Sequence, residues 1–291
     1  MRNFKQNLKK ILRLVLLAKE KESIEDALVR RKYQLISKLP HKKYDYDDLK
    51  QHLILLGIVR GDCIMVHASW RSFIGFKGTP QDVINILIEL VGPEGTILMP
   101  ANGDHKSSTF DPETSPNLSG VISKIFCSEY SAIRSRGSHF SVAAKGRLQH
   151  DIISNHMEST YGFDDFSPYG IFSKVKNSKV LLLGLGNKPT KISLFHRVGF
   201  ELKDNDYFSN IFIEGPKVSV IDSLNQVKIC PTIKRYGVKN SKKNIRHIYK
   251  LIPCRNELKL GVLDLISIDT ELSLETGLDC AKKGLYMYSN K

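Results

Sequence analysis

A polar segment that follows a short apolar run is the first place where the sequence gathers groups able to bind a charged ligand. Residues 63–66 form the apolar run, and the donors that follow it are Ser69, Arg71, Ser72 and Lys77. A buried strand that ends in a polar loop exposes backbone N–H groups, and these side chains add donors suited to phosphate and amide oxygens. A merely solvated loop has a similar composition, so both interpretations stay open.

Other catalytic signatures fail on spacing. Gly184 and Gly186 resemble a dinucleotide-binding turn, but Pro189 stands where the third glycine belongs and no acidic residue follows at a suitable distance. The glycines around Lys77 and Lys145 do not have the spacing of a Walker-type phosphate loop. His and Cys residues also lack metal-ligand spacing, so the sequence predicts no metal cofactor.

Net charge limits the classes of ligand. The chain carries a formal charge of +14 at pH 7, which attracts anions: nucleic acid, an acidic membrane surface or a small phosphorylated ligand. Five scattered cysteines without a Cys-x-x-Cys pair fit a reducing cytoplasm. Residues 11–18 are apolar but too short to cross a bilayer and lack a convincing cleavage site. We therefore expect a cytoplasmic protein without a membrane span.

The elements that must position these groups begin after a basic stretch, residues 1–45, which we treat as a helical N-terminal extension. Leu8, Ile11, Leu12 and Val15 recur at helical spacing and predict a basic amphipathic helix, followed by a second short one. Packing of this helix on the domain or on a partner subunit is the preferred interpretation, and a homo-oligomer is left open. Binding to a membrane surface is the alternative.

Helices and strands alternate from residue 46 to residue 210, which predicts an α/β core domain. The predicted helices cover residues 47–56, 80–91, 119–130 and 148–157, with another that begins at Thr190 and carries His196 in its second turn. The predicted strands cover residues 63–66, 96–99, 132–135, 141–145 and 179–183. Alternating apolar and polar residues after Tyr207 predict that residues 211–291 form a β-rich C-terminal lobe packed on the core.

Short motifs occur in one order along the core. They are Gly61-Asp62-Cys63-Ile64-Met65-Val66-His67-Ala68-Ser69, Gly92-Pro93-Glu94-Gly95-Thr96-Ile97-Leu98-Met99-Pro100, Phe110-Asp111-Pro112, Arg134-Ser135 with Ser141-Val142-Ala143-Ala144, Ser167-Pro168, and Lys179-Val180-Leu181-Leu182-Leu183-Gly184 leading to Leu194-Phe195-His196. Each motif alone is weak. In this order and spacing they closely resemble the aminoglycoside N3-acetyltransferase family, some members of which acylate nucleotide-linked amino sugars.

The resemblance implies a three-layer α/β core around a mixed sheet, with a smaller β-rich C-terminal lobe. It also implies an acyl-CoA-dependent N-acyltransferase that uses acetyl-CoA or a short hydroxyacyl-CoA as co-substrate. The coenzyme is expected in a groove beside the end of the first core strand. The expected groove residues are His67, Ala68, Ser69, Arg71, Ser72, Arg134, Ser135 and Ser141.

The resemblance assigns the role of general base to His196. An amino sugar arrives largely as an ammonium ion, so a group that titrates near neutrality must accept a proton. The family often places a glutamate one turn after this histidine, but here that residue is Gly199. Asp111 or another loop carboxylate would then have to orient the ring, and we expect a pKa near the ordinary value of about 6.5.

Three further residues are expected to bind substrate: Asp111, His139 and His156. Many relatives have His-Pro where this chain has Gly137-Ser138, so His139 either substitutes for a family histidine or caps a turn. Packing on a helix surface is the alternative for His156.

Charge decides the predicted acceptor. Aminoglycosides are polycations that a +14 protein repels, whereas a nucleotide-linked amino sugar and acyl-CoA are both anionic. The sequence therefore predicts acyl transfer to a nucleotide-linked amino sugar for surface polysaccharide biosynthesis, with aminoglycoside N3-acetylation as the alternative. An alternative of another class is a basic protein that binds nucleic acid or a membrane surface. No signature of a nucleic-acid-binding module accompanies the charge, so no nucleic-acid partner is expected.

Overall fold

A computed structural model describes residues 2–18, 23–137, 139–187, 189–190 and 192–290. Four parts of the predictions above therefore lie outside the described residues: residue 1 and residues 19–22 of the N-terminal extension, Ser138, and Lys191 of the predicted histidine-bearing helix.

Helices and strands alternate along the described chain. Its α-helices are α1 (Arg2–Val15), α2 (Ile24–Ile36), α3 (Tyr46–Leu55), α4 (Pro80–Val91), α5 (Val121–Glu129), α6 (Gln149–Ile153), α7 (Pro168–Phe172), α8 (Phe195–Glu201), α9 (Asp206–Ser209), α10 (Lys242–Leu251) and α11 (Thr270–Lys282). Its strands are β1 (Cys63–Ala68), β2 (Thr96–Pro100), β3 (Thr109–Phe110), β4 (Ile133–Arg134), β5 (Val142–Gly146), β6 (Lys179–Leu183), β7 (Phe212–Glu214), β8 (Val218–Ile221), β9 (Val227–Cys230), β10 (Ile233–Arg235), β11 (Val238–Asn240), β12 (Asn256–Leu260), β13 (Leu263–Asp269) and β14 (Tyr288–Asn290). Short 3-10 helices cover Trp70–Ser72 and Ser154–Glu158.

The main sheet of the described residues is mixed and has seven strands in the order β12-β13-β6-β1-β2-β5-β4. The central strands β6, β1 and β2 run parallel, and the outer strands pair antiparallel. Parallel strands end at the same edge of a sheet, so the segments that follow β1, β2 and β6 are neighbours in space. Ligands commonly bind at this edge in α/β proteins.

Apolar cores cover both faces of the sheet because its central strands have apolar side chains on both sides. Cys63 and Met65 pack in one core with residues of α6, α7, α8, α10 and α11. Ile64 and Val66 point the other way and pack with residues of α3, α4 and α5. The structure therefore has helices, sheet and helices in three layers, and the predicted fold class is confirmed.

Helices α3 and α4 begin where local sequence dictates. Asp45 and Thr79 are their N-caps, and each accepts a hydrogen bond from the backbone N–H three residues later. In both helices the aspartate at that third position bonds back to the N-cap backbone, which completes a capping box. These helices hold the sheet from one side, close to their predicted bounds.

The helix that carries His196 starts later than predicted. Thr190 does not cap it; instead α8 begins at Phe195, so His196 lies in its first turn. The residues just before it form a tighter turn, in which the N–H of Phe195 donates to the carbonyl oxygen of Ile192. Leu194 at the N-cap has no side-chain hydrogen bond, because its side chain is buried in the core instead.

The C-terminal part departs from the expected β-rich lobe in two respects. Small sheets do form there, from β3-β8-β9, β7-β10 and β11-β14. However, β13 pairs with β6, so residues 256–269 extend the main sheet. Residues 242–251 and 270–282 form helices. Helix α10 forms because Ile245, Ile248 and Tyr249 recur at helical spacing and are buried in the core.

Candidate active site

A cavity of about 480 Å³ lies at the edge where β1 and β2 end. Its volume is within the usual range of small-molecule sites. The residues that line it include His67, Ala68, Ser69, Trp70, Arg71, Asn102, Ser119, Gly120, Val121, Ile122, Ser123, Leu185 and Ser193. The predicted loop after β1 therefore lines a cavity, and the segments after β2 and β6 complete it.

Backbone donors enter this cavity at the first turn of α5. Gly120 is the N-cap with φ of 112°, a conformation that favours glycine, and it offers no side-chain cap. The first-turn N–H groups of Val121, Ile122 and Ser123 have no acceptors within the helix, and these residues line the cavity. Such groups, together with the helix dipole, attract an anionic group. The exposed guanidinium of Arg71 adds a positive charge at the cavity wall.

Asn102 contributes the opposite kind of group to the same wall. Its Oδ1 atom is buried and has no hydrogen-bond partner among the described residues, although its backbone N–H donates to Ser119 Oγ at 2.8 Å. A buried acceptor without a partner costs free energy, and a ligand N–H group could satisfy it. The cavity thus offers donors for an anion and an acceptor for an amide.

His67 lies on the same cavity wall, on the face of β1 that also carries Met65. Burial lowers the pKa of its imidazole to about 4, so the ring is neutral at pH 7. A neutral imidazole offers one donor and one acceptor to a ligand.

Four of the predicted groove residues are engaged within the protein instead. Ser72 Oγ donates to the carbonyl oxygen of Gly184 at 2.6 Å and so joins the ends of β1 and β6. Arg134 donates to the carbonyl oxygens of Ala101, at 2.7 Å, and of Ser115. The other two, Ser135 and Ser141, are buried and bonded to neighbouring loop residues. None of these four side chains is among the described residues that line the cavity.

His196 lies in a cluster of aromatic and cationic side chains beside the cavity. Ser193, one turn before it, lines the cavity. The Nδ1 atom of His196 is 2.7 Å from the Tyr288 hydroxyl and 2.5 Å from Arg235 Nη1. The Tyr288 ring stacks on the imidazole at 5.7 Å, and Phe163 packs against it at 4.9 Å.

These contacts define the form of the imidazole. A guanidinium only donates hydrogen bonds, so Nδ1 must be the acceptor and the neutral ring carries its proton on Nε2. Burial, followed by the positive charge of Arg235, lowers the pKa of His196 well below its ordinary value. The expectation of a pKa near 6.5 was therefore wrong. Arg235 and Tyr288 fix the ring, and no loop carboxylate takes the place of the missing glutamate among the described contacts.

The three predicted substrate residues occupy different positions. Asp111 holds a turn by accepting from Thr114 Oγ1 at 2.7 Å and from the N–H of Glu113 at 2.9 Å, which lowers the pKa of its carboxyl group. His139 lies near His196, at the outer side of the cluster. Its ring is 6.0 Å from that of His105, and burial, then His105, lowers its pKa.

His156 is buried behind this loop and is bonded to Ser135 Oγ at 2.8 Å. Burial lowers its pKa to about 3. A Cβ atom on Gly137 would approach the His156 ring to 2.3 Å, so glycine is required where many relatives have His-Pro.

Phe140 joins His139 to the cluster through a strained backbone. Its φ of 56° is unusual for a residue other than glycine, and its ring is 4.5 Å from Phe163 and 6.3 Å from His196. Such strain persists only where surrounding packing enforces it, and it is common at functional sites. The loop 139–140 therefore forms a wall of the cluster around His196.

Residues 65–204 match the family model described as aminoglycoside 3-N-acetyltransferase, from within β1 to just after α8. This stretch contains the cavity loop, Asn102 and His196. The chain belongs to this family.

Curated relatives of the family match about half of the chain. Aminoglycoside N(3)-acetyltransferase IV from Salmonella sp is 33% identical over 144 residues, which are 48% of this chain and 53% of that protein. The aminoglycoside N(3')-acetyltransferase-like protein YokD from Bacillus subtilis is 27% identical over 160 residues, 47% of this chain and 58% of that protein. The chain thus spans little more than half the length of these relatives.

Solved structures of the family have the same fold over most of the chain. A structure described as AAC-IIIb in a binary complex with CoASH superposes with a TM-score of 0.70 at 18% identity, and covers 85% of this chain and 100% of that one. The apoenzyme of aminoglycoside acetyltransferase AAC(3)-IVa gives 0.68 at 22% identity, covering 84% and 91%. The family fold therefore extends beyond the segment matched by sequence.

Sequence reasoning missed several residues of this family member's site. Asn102 and Ser119 follow β2, and the rule that ligands bind at the carboxyl ends of parallel strands could have pointed to them. Arg235 and Tyr288 lie on short strands after residue 204, outside the family match, and no local pattern marks them.

Proposed function

We propose that this protein is an acyl-CoA-dependent N-acyltransferase that binds acyl-CoA in the cavity at the ends of β1 and β2. The observation that carries this proposal is the composition of that cavity. It places anion-binding N–H groups of α5, the Arg71 cation and the unpaired Asn102 Oδ1 in one wall. Acyl-CoA has phosphates and, along its pantetheine arm, amide groups, so it matches both kinds of group. The AAC-IIIb complex with CoASH, which shares the fold, supports this assignment.

The reaction transfers an acyl group from the coenzyme thioester to an amine. The amine nitrogen bonds to the thioester carbon, the C–S bond breaks, and the nitrogen loses a proton. The thiolate is a good leaving group because its thiol has a pKa of about 8.5. The protein must therefore orient the thioester, stabilise the oxyanion and receive one proton.

His196 is proposed to receive that proton at Nδ1. Its lowered pKa keeps the ring neutral at pH 7, so the lone pair of Nδ1 is available once the amine displaces Tyr288 or Arg235 from it. A weak base is sufficient if it acts after the nitrogen has bonded to carbon, because the nitrogen is then acidic. Ser69, Arg71 and His67 are proposed to bind the coenzyme, and His139 the acceptor.

An amino sugar of the aminoglycoside class is the acceptor that the relatives favour. The curated relatives reported above are named as aminoglycoside N-acetyltransferases or as similar to them. The nucleotide-linked amino sugar predicted from charge receives no support from these names.

The nucleotide-linked sugar is kept as a second candidate on one structural observation. Carboxylates that could attract a polycation near the site are already engaged. Asp165 pairs with Lys174 and with Arg197, each at 2.7 Å, and Glu113 pairs with Arg136 at 3.2 Å. Their negative charge is largely neutralised, so the net charge of +14 is not locally reversed there.

Thiol release from acetyl-CoA, measured with a panel of acceptors, tests the proposal. We expect acetyl-CoA to raise the melting temperature and an amino sugar to stimulate thiol release. A lack of coenzyme binding at millimolar concentration would refute the proposal. Preference for a sugar nucleotide over gentamicin-type aminoglycosides would overturn the acceptor class alone.

A further inference from the structure

Helix α1 presents an apolar face that the rest of the described chain leaves uncovered. Leu8, Ile11, Leu12 and Val15 recur at intervals of three and four residues and so lie on one side of the helix. Their exposed fractions are 47%, 56%, 37% and 72%. The sequence analysis preferred packing of this helix on the domain or on a partner subunit. Within the described chain, that face is not packed on the domain.

The protein holds α1 through its C-terminal end. Arg30 on α2 donates to the carbonyl oxygen of Leu17 at 2.8 Å, and Arg31 donates to that of Leu16 at 3.0 Å. Leu16 is also buried. These contacts bind the last carbonyl oxygens of the helix, where cations are favourable, and leave the apolar face free.

Helix α10 shows that this chain buries such a face when a core is available. It is also basic, with Lys243 and Lys250 among its residues, and its apolar face consists of Ile245, Ile248 and Tyr249. Those three side chains are 1–3% exposed. The exposure of the α1 face is therefore a property of where α1 lies rather than of basic helices in this protein.

Charge identifies what covers the α1 face. The first 18 residues contain five basic residues and no Asp or Glu; the basic residues are Arg2, Lys5, Lys9, Lys10 and Arg13. A second copy of the chain would bring two such segments together, and their like charges would repel. An anionic lipid surface accepts both the apolar face and the positive charge.

We propose that α1 lies in the plane of an anionic lipid surface, with Leu8, Ile11, Leu12 and Val15 at the boundary of the acyl chains. The helix has 14 residues and a length of about 21 Å, which is too short to cross the hydrocarbon core. Among the described residues, no helix has the length and apolar character needed to cross a membrane. The attachment is therefore peripheral and reversible, and it is independent of the acyl transfer proposed above.

Vesicle flotation of the full chain tests this proposal. We expect binding to vesicles that contain phosphatidylglycerol to exceed binding to pure phosphatidylcholine by about tenfold, and to weaken as salt is raised. Equal binding to both kinds of vesicle, or none to either, would overturn the proposal.

A pair of matched variants separates the apolar face from the charge. Leu12→Gln with Val15→Gln keeps the charge and removes apolar area, and should lower binding to anionic vesicles by about tenfold. Leu224→Gln with Leu251→Gln makes the same chemical change at residues that are 74% and 52% exposed elsewhere, and should bind like the wild type. Equal binding by the two variants would contradict the proposal.

Light scattering without lipid tests the other occupant. We expect the wild type and the Leu12→Gln, Val15→Gln variant to have the same mass. A dimer of the wild type that this variant dissociates would show that a second copy covers the face, and would overturn the proposal.

Discussion

The cavity at the ends of β1 and β2 differs from the neighbouring cluster around His196 in how its polar groups are satisfied. In the cavity, the first-turn N–H groups of α5 and Asn102 Oδ1 await partners. In the cluster, Nδ1 of His196 already has two, Arg235 and Tyr288. A site with unpaired groups is prepared for a ligand, whereas a satisfied site must exchange a contact to react. Coenzyme binding should therefore depend on the cavity, and the rate of acyl transfer on the cluster.

His196→Asn should give the largest effect and break the cluster alone. Loss of a general base lowers kcat by about 10² to 10⁴-fold, while coenzyme affinity should change little. Steady-state kinetics and calorimetry with acetyl-CoA measure the two quantities. His150→Asn, at an exposed histidine of α6, is the matched control. A His196→Asn protein with normal kcat would place the base elsewhere.

Arg235→Gln should change the pH profile of the cluster. The folded pKa of His196 lies well below 6.5, so we expect the wild-type kcat to stay level from pH 8 to about 6. Removal of the cation raises this pKa toward 6.5, so the acidic limb should move upward by about one pH unit. Rate measurements across this range check the shift, with Tyr288→Phe as a variant that leaves the charge in place. An unchanged acidic limb would show that protonation of His196 does not control the rate.

Asn102→Ala should weaken the cavity and leave the cluster intact. Loss of one hydrogen bond from a buried acceptor should reduce acetyl-CoA affinity by about tenfold, with kcat nearly unchanged. Asn85→Ala, at an exposed asparagine of α4, is the control. A fall in kcat without loss of affinity would mean that the cavity and the cluster do not divide binding and chemistry in this way.

Arg71→Ala should give the smallest change. Its guanidinium is exposed, so water and salt screen its attraction for the coenzyme phosphates, and we expect a loss of about two- to fivefold in affinity at low salt. The loss should shrink at high salt in calorimetric titrations. Arg147→Ala, which removes an exposed arginine elsewhere, should have no effect on binding. A salt-independent loss would argue against a phosphate contact.

The sequence by itself determined the order of core elements, the three-layer class and the family. Local rules were sufficient for this. The apolar run in β1, the caps at Asp45 and Thr79, and the terminator Gly92 act within a few residues. The placement of the loop after β1 at a cavity also follows from strand direction, since parallel strands end at one edge.

Tertiary structure alone decided the state of His196 and the use of the predicted groove residues. The imidazole meets Arg235 and Tyr288 from strands 39 and 92 residues later in the chain, and burial and a neighbouring charge then lower its pKa. Arg134 and Ser72 have the composition of ligand donors, yet the fold uses them to bind backbone carbonyl oxygens. Burial, charge and hydrogen-bond partners depend on contacts between distant residues, and no local spacing in the sequence specifies them.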